Sequence, residues 1–137
     1  MATFKFELVS PESILFSGEV VSVIVPSVEG EMTILAGHVP IVAALKPGIV
    51  LAQTGPGNGK EFFVGGGIVE VNQTALTVLA EQARFLEDVD NDVLDAEILT
   101  AETRLAAAPT EDEQRRLREL LIQLQEFKGV LQQRKAA

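Results

Sequence analysis

Apolar and polar positions change rhythm once along this chain, near residue 83, and the two rhythms define two parts. Up to that point the period is two. Phe4, Phe6 and Leu8 alternate with Lys5 and Glu7, as on a strand with one buried face. Short apolar or β-branched runs follow at Ile14-Leu15-Phe16, Val20 to Val25, Thr33-Ile34-Leu35, Ile41 to Leu45, Ile49 to Gln53, Phe62 to Val64, Ile68 to Val71 and Ala75 to Leu79. Turn residues separate them: Ser10-Pro11-Glu12, Pro26 with Glu29-Gly30-Glu31, Gly37-His38-Val39-Pro40, Pro47-Gly48, Gly55-Pro56-Gly57-Asn58-Gly59 and Asn72-Gln73-Thr74. Strands this short and frequent predict an antiparallel sandwich or barrel, because no connection could hold the crossover helix of a parallel sheet. Gly65-Gly66-Gly67 opens onto a β-branched run and lacks the Lys-Ser/Thr of a phosphate loop, so it reads as a backbone bulge or a close packing point.

Beyond about Ala83 the pattern is helical. Leu94, Ile98, Ala101, Leu105 and Ala108 form one stripe, with Asp90, Asn91 or Asp92 as N-cap, and Pro109 breaks the helix. Thr110 with Glu113 forms a capping box for a second helix, whose stripe is Leu117, Leu120, Leu121, Leu124, Phe127 and Leu131. Two neighbouring helices with one stripe each predict an antiparallel hairpin in which the stripes bury one another. Leu99, Ile122 and Val130 lie off the stripes and are left either to pack on the β domain or to touch another protein. The division expected is a β domain over residues 1–86 and a hairpin over residues 87–137.

At 137 residues and 47% hydrophobic content, the chain has enough apolar material for a real core. It contains no cysteine and one histidine, His38, which excludes disulfides, thiolate sites and multi-histidine metal sites. No signal or transit peptide is expected from the alternating first twenty residues. The most apolar window, Val39 to Ala52, is interrupted by Pro40, Lys46 and Pro47, so no membrane insertion is expected. A net charge of −9 opposes binding to nucleic acid or anionic lipid. It is unevenly placed: residues 1–113 hold 18 acids and 5 bases, and residues 114–137 hold 2 acids and 6 bases.

No catalytic constellation, metal site or cofactor is expected. None of Ser10, Ser13, Ser17, Ser22 and Ser27 sits in a nucleophile elbow, and His38 reads as a turn residue making structural or interface hydrogen bonds. The carboxylates Glu87, Asp88, Asp90, Asp92 and Asp95 lack the glycine and terminal glutamate of a calcium loop and read as a solvated capping segment. Arg115, Arg116, Arg118, Lys128, Arg134 and Lys135 make the second helix basic. They form either a solvated face paired with Asp95, Glu97 or Glu102, or a surface for an acidic partner.

Taken in order, Glu29-Gly30-Glu31, Gly37-His38-Val39-Pro40, Lys46-Pro47-Gly48, Gly66-Gly67-Ile68-Val69-Glu70-Val71, Leu76-Thr77-Val78-Leu79-Ala80 and the terminal hairpin resemble the epsilon subunits of bacterial F-type ATP synthases and the related mitochondrial delta subunits. The resemblance covers essentially the whole chain. It implies a β-sandwich of about ten short antiparallel strands followed by a helical hairpin. It also implies a non-catalytic rotor subunit, peripheral on the cytoplasmic face of the bacterial inner membrane, which links the gamma subunit to the ring of c subunits. Matching positions place Glu29, Gly30 and Glu31 in a loop facing the c ring, and Ser10 and His38 on the gamma-facing side. An extended hairpin would restrain ATP hydrolysis, with Arg115, Arg116 and Arg118 meeting an acidic segment of the beta subunit in the alpha/beta head. Some members bind ATP through an Ile/Leu-Asp-x-x-Arg-Ala element. The matching stretch here, Val89-Asp90-Asn91-Asp92-Val93-Leu94, lacks the arginine, and weak or absent ATP binding is expected. The residues without the resemblance also admit a free-standing β-sandwich binding module or a small-ligand enzyme.

Overall fold

The computed structural model describes residues 2–136, the side chains of residues 135 and 136 excepted. Eight strands form one sheet: β1 (Phe4–Val9), β2 (Ile14–Val20), β3 (Ser22–Ser27), β4 (Gly30–Leu35), β5 (Ile41–Gln53), β6 (Gly59–Val71), β7 (Ala75–Ala80) and β8 (Ala83–Phe85). Their order is β2-β1-β7-β6-β5-β3-β4, with β8 pairing further along β6. The sandwich class therefore stands, with fewer and longer strands. The runs at 41–45 and 49–53 are one strand, as are those at 62–64 and 68–71. Pro47 and the glycine triplet mark bends within strands rather than turns between them. Pairing is antiparallel except for β1 with β7. That parallel pair needs no crossover helix, because the intervening strands themselves form the connection.

A sheet becomes a sandwich only if its strands change sides, and the burial pattern locates where they do. In β5 the buried positions are Leu45 and Pro47 before the bend, and Gly48, Val50 and Ala52 after it, a switch of parity. β6 switches at the same level, from Phe62 and Val64 to Val69 and Val71. The register is kept across the switch, from Ile41 with Val71 to Gln53 with Gly59, with the pair at Lys46 and Gly66 left out. β7 and β8 switch as well, from the buried Ala80 to Ala83, which packs against the core, across Glu81-Gln82. The backbone permits this through Gly66 (φ +109°) and Gly67 (φ +141°), a region that side chains rarely adopt. Gly48 belongs to the same line, where a Cβ would stand 2.6 Å from Pro26 Cβ. The sheet thus folds on itself into two layers.

Between the layers lies one core, with Phe6, Leu8, Val20, Leu76, Val78 and Val69 facing Val23, Val25, Val50, Phe62 and Val64. All of these are fully buried, and each contributes roughly 1.5–3 kcal/mol relative to exposure. Phe6, Phe16 and Phe62 form a chain of ring contacts across it at 5.4 and 6.1 Å.

The second unit begins at Val89, after a 3-10 turn over Leu86–Asp88. Helix α1 (Asn91–Ala107) is capped by Asp90, whose carboxylate accepts the Val93 N–H at 2.9 Å. Helix α2 (Glu111–Ala136) starts where Thr110 Oγ1 accepts the Glu113 N–H at 3.2 Å. The two helices form the hairpin, burying Leu94 and Ala101 of one and Leu117, Leu124, Phe127 and Leu131 of the other. No helix among the described residues is long and apolar enough to cross a membrane.

Candidate functional site

The outward face of the layer containing β1 and β7 is the most distinctive surface of the sandwich. Its residues follow from register. Val9 pairs with Ile14 of β2 and with Leu79 of β7, Leu79 with Ile68 of β6, and Ile68 with Ala44 of β5. Partners in register share a face, and the intervening positions Leu8, Val78, Val69 and Leu45 all point into the core. Ile14, Val9, Leu79, Ile68 and Ala44 therefore make a continuous apolar row across five strands, about 19 Å long at the usual strand spacing. Ile14 is 61% exposed, Leu79 48% and Ile68 46%. Val28, also exposed, continues the row, its N–H donating to the Ala44 carbonyl at 3.0 Å. Outward positions on a solvated sheet ordinarily carry polar residues, so this row is an apolar patch of the kind that marks interaction surfaces. The apolar character of Ile68 and Leu79 was visible in sequence; their alignment into a row was not, because register is non-local.

Glu29, Gly30 and Glu31 stand beside Val28 at the hairpin between β3 and β4, all exposed. Ser27 Oγ shapes this turn by donating to the Gly30 carbonyl at 2.5 Å and accepting the Glu29 N–H at 3.3 Å. Gly30 has φ +130° with open space around its Cα, so its side-chain-free backbone is required by conformation rather than by crowding. Ser10 follows Val9 at the other end of the row, but its hydroxyl is committed to its own turn with Ser13 at 3.3 Å, and the residue is buried. His38 is half-buried and packs edge-on against Phe4, with ring centroids 5.1 Å apart. Neither of its ring nitrogens, both shielded within this chain, has a hydrogen-bond partner among the described residues. Phe4 and Ser10 are separated by the length of β1, about 20 Å, so the strand does not bring Ser10 and His38 together.

On α2, Arg115, Arg116 and Arg118 are exposed. Arg115 pairs with Asp112 at 3.1 Å and Arg118 donates to Gln114 at 3.3 Å, both within the helix. The expected pairing with the first helix is made by Lys128, which bonds Asp95. Lys135 lies outside the described side chains. Leu99, Ile122 and Val130 are exposed, at 63%, 56% and 50%. In the stretch matching the ATP element, Asp90 is engaged as N-cap and Leu94 is fully buried.

Residues 3–85 match the model of the beta-sandwich domain of the ATP synthase delta/epsilon chain. The ATP synthase epsilon chain of Rhizobium etli is 38% identical over 130 residues, covering 95% of this chain and 96% of the relative. Epsilon chain 1 of Nitrobacter hamburgensis is 43% identical over 133 residues, covering 97% and 95%. The fold is shared with a chain of the Euglena gracilis mitochondrial ATP synthase (TM-score 0.71, 23% identity, 96% of this chain and 82% of that one). A chain from the central stalk and c-ring structure of the Tetrahymena thermophila enzyme is also similar (TM-score 0.56, 14% identity, 65% and 71%). With its sandwich matched as a domain and its relatives matched over nearly their whole length, the chain belongs to the family of ATP synthase epsilon chains.

Proposed function

We propose that this chain is a non-catalytic rotor subunit of the central stalk, docked on the gamma subunit through the row from Ile14 to Ala44. The observation that carries the reading is that row. Five outward apolar positions in register supply a surface that a stable partner would desolvate. The turn at Glu29-Gly30-Glu31 adjoins one end of the row and faces the c ring, so a single rigid sandwich touches both partners. Ser10 adjoins the other end, where it shapes the gamma-facing surface through its turn, and His38, packed on Phe4 at the far end of β1, would meet gamma at a separate point. Rotation needs stiffness between the two contacts, which the shared core supplies.

The hairpin is the second functional part. Arg115, Arg116 and Arg118 present an exposed cationic edge to an acidic segment of the beta subunit when the hairpin extends toward the alpha/beta head, and this contact restrains ATP hydrolysis. The whole subunit sits peripherally on the cytoplasmic face of the membrane, held by its partners.

Co-purification with the gamma subunit tests the docking. Leu79→Glu or Ile68→Glu places a carboxylate in the centre of the row and costs the complex at least about 2 kcal/mol, roughly thirtyfold in affinity. Retention of wild-type affinity by both variants overturns the reading. In the assembled enzyme, truncation after Asp88 removes the hairpin, and ATP hydrolysis speeds up if the hairpin restrains it.

A further inference from the structure

The level of the sheet next to the apolar row is not neutral. By register it reads Ser17, Glu7, Thr77, Glu70 and Val42, all outward. Glu7 and Glu70 flank the half-buried Thr77 on adjacent strands, which sets their Cα atoms about 10 Å apart. Glu7 has Lys5 as its ion-pair partner only at 4.0 Å, the outer limit of such a contact. Glu70 makes no hydrogen bond or ion pair among the described residues. On the opposite flank of the row, Glu81 and Lys46 stand on either side of Gly66, so that flank carries both signs. On the first flank the charged outward positions nearest the middle of the row are Glu7 and Glu70.

We propose that the partner seated on this row carries one or two cationic side chains that insert between Glu7 and Glu70 over Thr77. The inference rests on the docking reading above and adds the chemistry of the occupant. Covering the row strips water from both carboxylates, and desolvating unpaired charges costs more than a few apolar contacts return. Only an occupant that brings positive charge to this level avoids that cost. A second copy of this chain does not qualify, because a two-fold contact would set the same carboxylates against each other. An arginine suits the geometry, its planar fork reaching both carboxylates from between them.

The test measures binding of the purified gamma subunit to the wild-type chain, the double variant E7Q/E70Q and L79E, at low and at high ionic strength. E7Q/E70Q is expected to bind about tenfold more weakly at low salt and to show a flatter salt dependence than wild type. L79E is expected to bind poorly at every salt concentration. Wild-type affinity and salt slope in E7Q/E70Q, with L79E still defective, overturns the cation proposal while leaving the docking face in place. An unchanged salt slope overturns it even if affinity falls. Wild-type binding by L79E removes the docking face itself. Both glutamates lie on the solvated side of the sheet, so matching denaturant midpoints for wild type and E7Q/E70Q confirm that folding is not the variable read.

Discussion

Two glycines of this chain have positive φ for different reasons, and substitution separates them. An ideal Cβ on Gly67 would fall 2.2 Å from the Leu79 carbonyl oxygen, whereas one on Gly30 would meet nothing within 4 Å. Gly30→Ala therefore pays backbone strain alone, about 1–3 kcal/mol, while Gly67→Ala adds a clash and is expected to exceed about 3 kcal/mol. Urea unfolding of the two variants decides it, and equal losses would show that the sheet does not fold so tightly at Gly67. His38 makes the opposite prediction. Its ring nitrogens are buried without partners, and an unmade buried hydrogen bond costs about 1–3 kcal/mol. His38→Phe keeps the packing on Phe4 and removes that cost, so the unfolding midpoint rises. A lower midpoint would mean that the imidazole is hydrogen-bonded in solution. The sequence left the glycine triplet as a bulge or a close packing point, and the structure favours the second, since β5 and β6 keep one register past it and a Cβ on Gly67 would clash with Leu79. The Phe4 ring that His38 meets was not legible, because that contact is non-local.

At the scale of elements, legibility follows the range of the interactions. The helices were largely readable, because caps and stripes are local: Asp90 is the cap among the candidates Asp90, Asn91 and Asp92, Thr110 caps the second helix, and Leu117, Leu124, Phe127 and Leu131 of its stripe are buried while Leu120 and Leu121 are half-buried. Strand limits were less readable, since Pro47-Gly48 looks like a turn locally and becomes a bend only when β5 and β6 pair along their length. The parallel match of β1 with β7 and the apolar row share this non-local origin. The hairpin offers an element-scale test. Leu124 is 3% exposed against the facing helix, so Leu124→Asp buries an unpaired carboxylate or unpacks the pair. Helical circular dichroism is expected to fall while the sheet signal persists. Loss of both signals would contradict two separately packed units. By contrast, reversing Lys128 against Asp95 touches an ion pair whose side chains are 29% and 54% exposed, and changes hairpin stability by no more than about 1 kcal/mol.

For the whole molecule, the question left by the family is whether nucleotide sets the hairpin's state, and this chain argues that it does not. ATP brings phosphate charge that needs cations or free N–H donors. Where the family's motif places arginine and alanine, this chain has Val93, half-buried, and Leu94, fully buried within the hairpin unit. The carboxylate of Asp90 already caps α1, Asp92 adds negative charge in the first turn, and the facing cation, Lys128, is taken up by Asp95. Phosphates would meet repulsion, with no guanidinium to offset it. Titration calorimetry of the isolated chain with ATP is expected to show no binding, and deleting the hairpin is expected to change the hydrolysis rate of the assembled enzyme by the same factor at low and at saturating ATP. Restoring the missing cation gives the converse. Val93→Arg supplies a charge at the right position, and if the local acids are the remaining obstacle, binding appears only when Asp92→Asn accompanies it. Measurable ATP uptake by the unaltered chain would show that other residues hold the nucleotide and would return ATP to the list of signals that fold the hairpin.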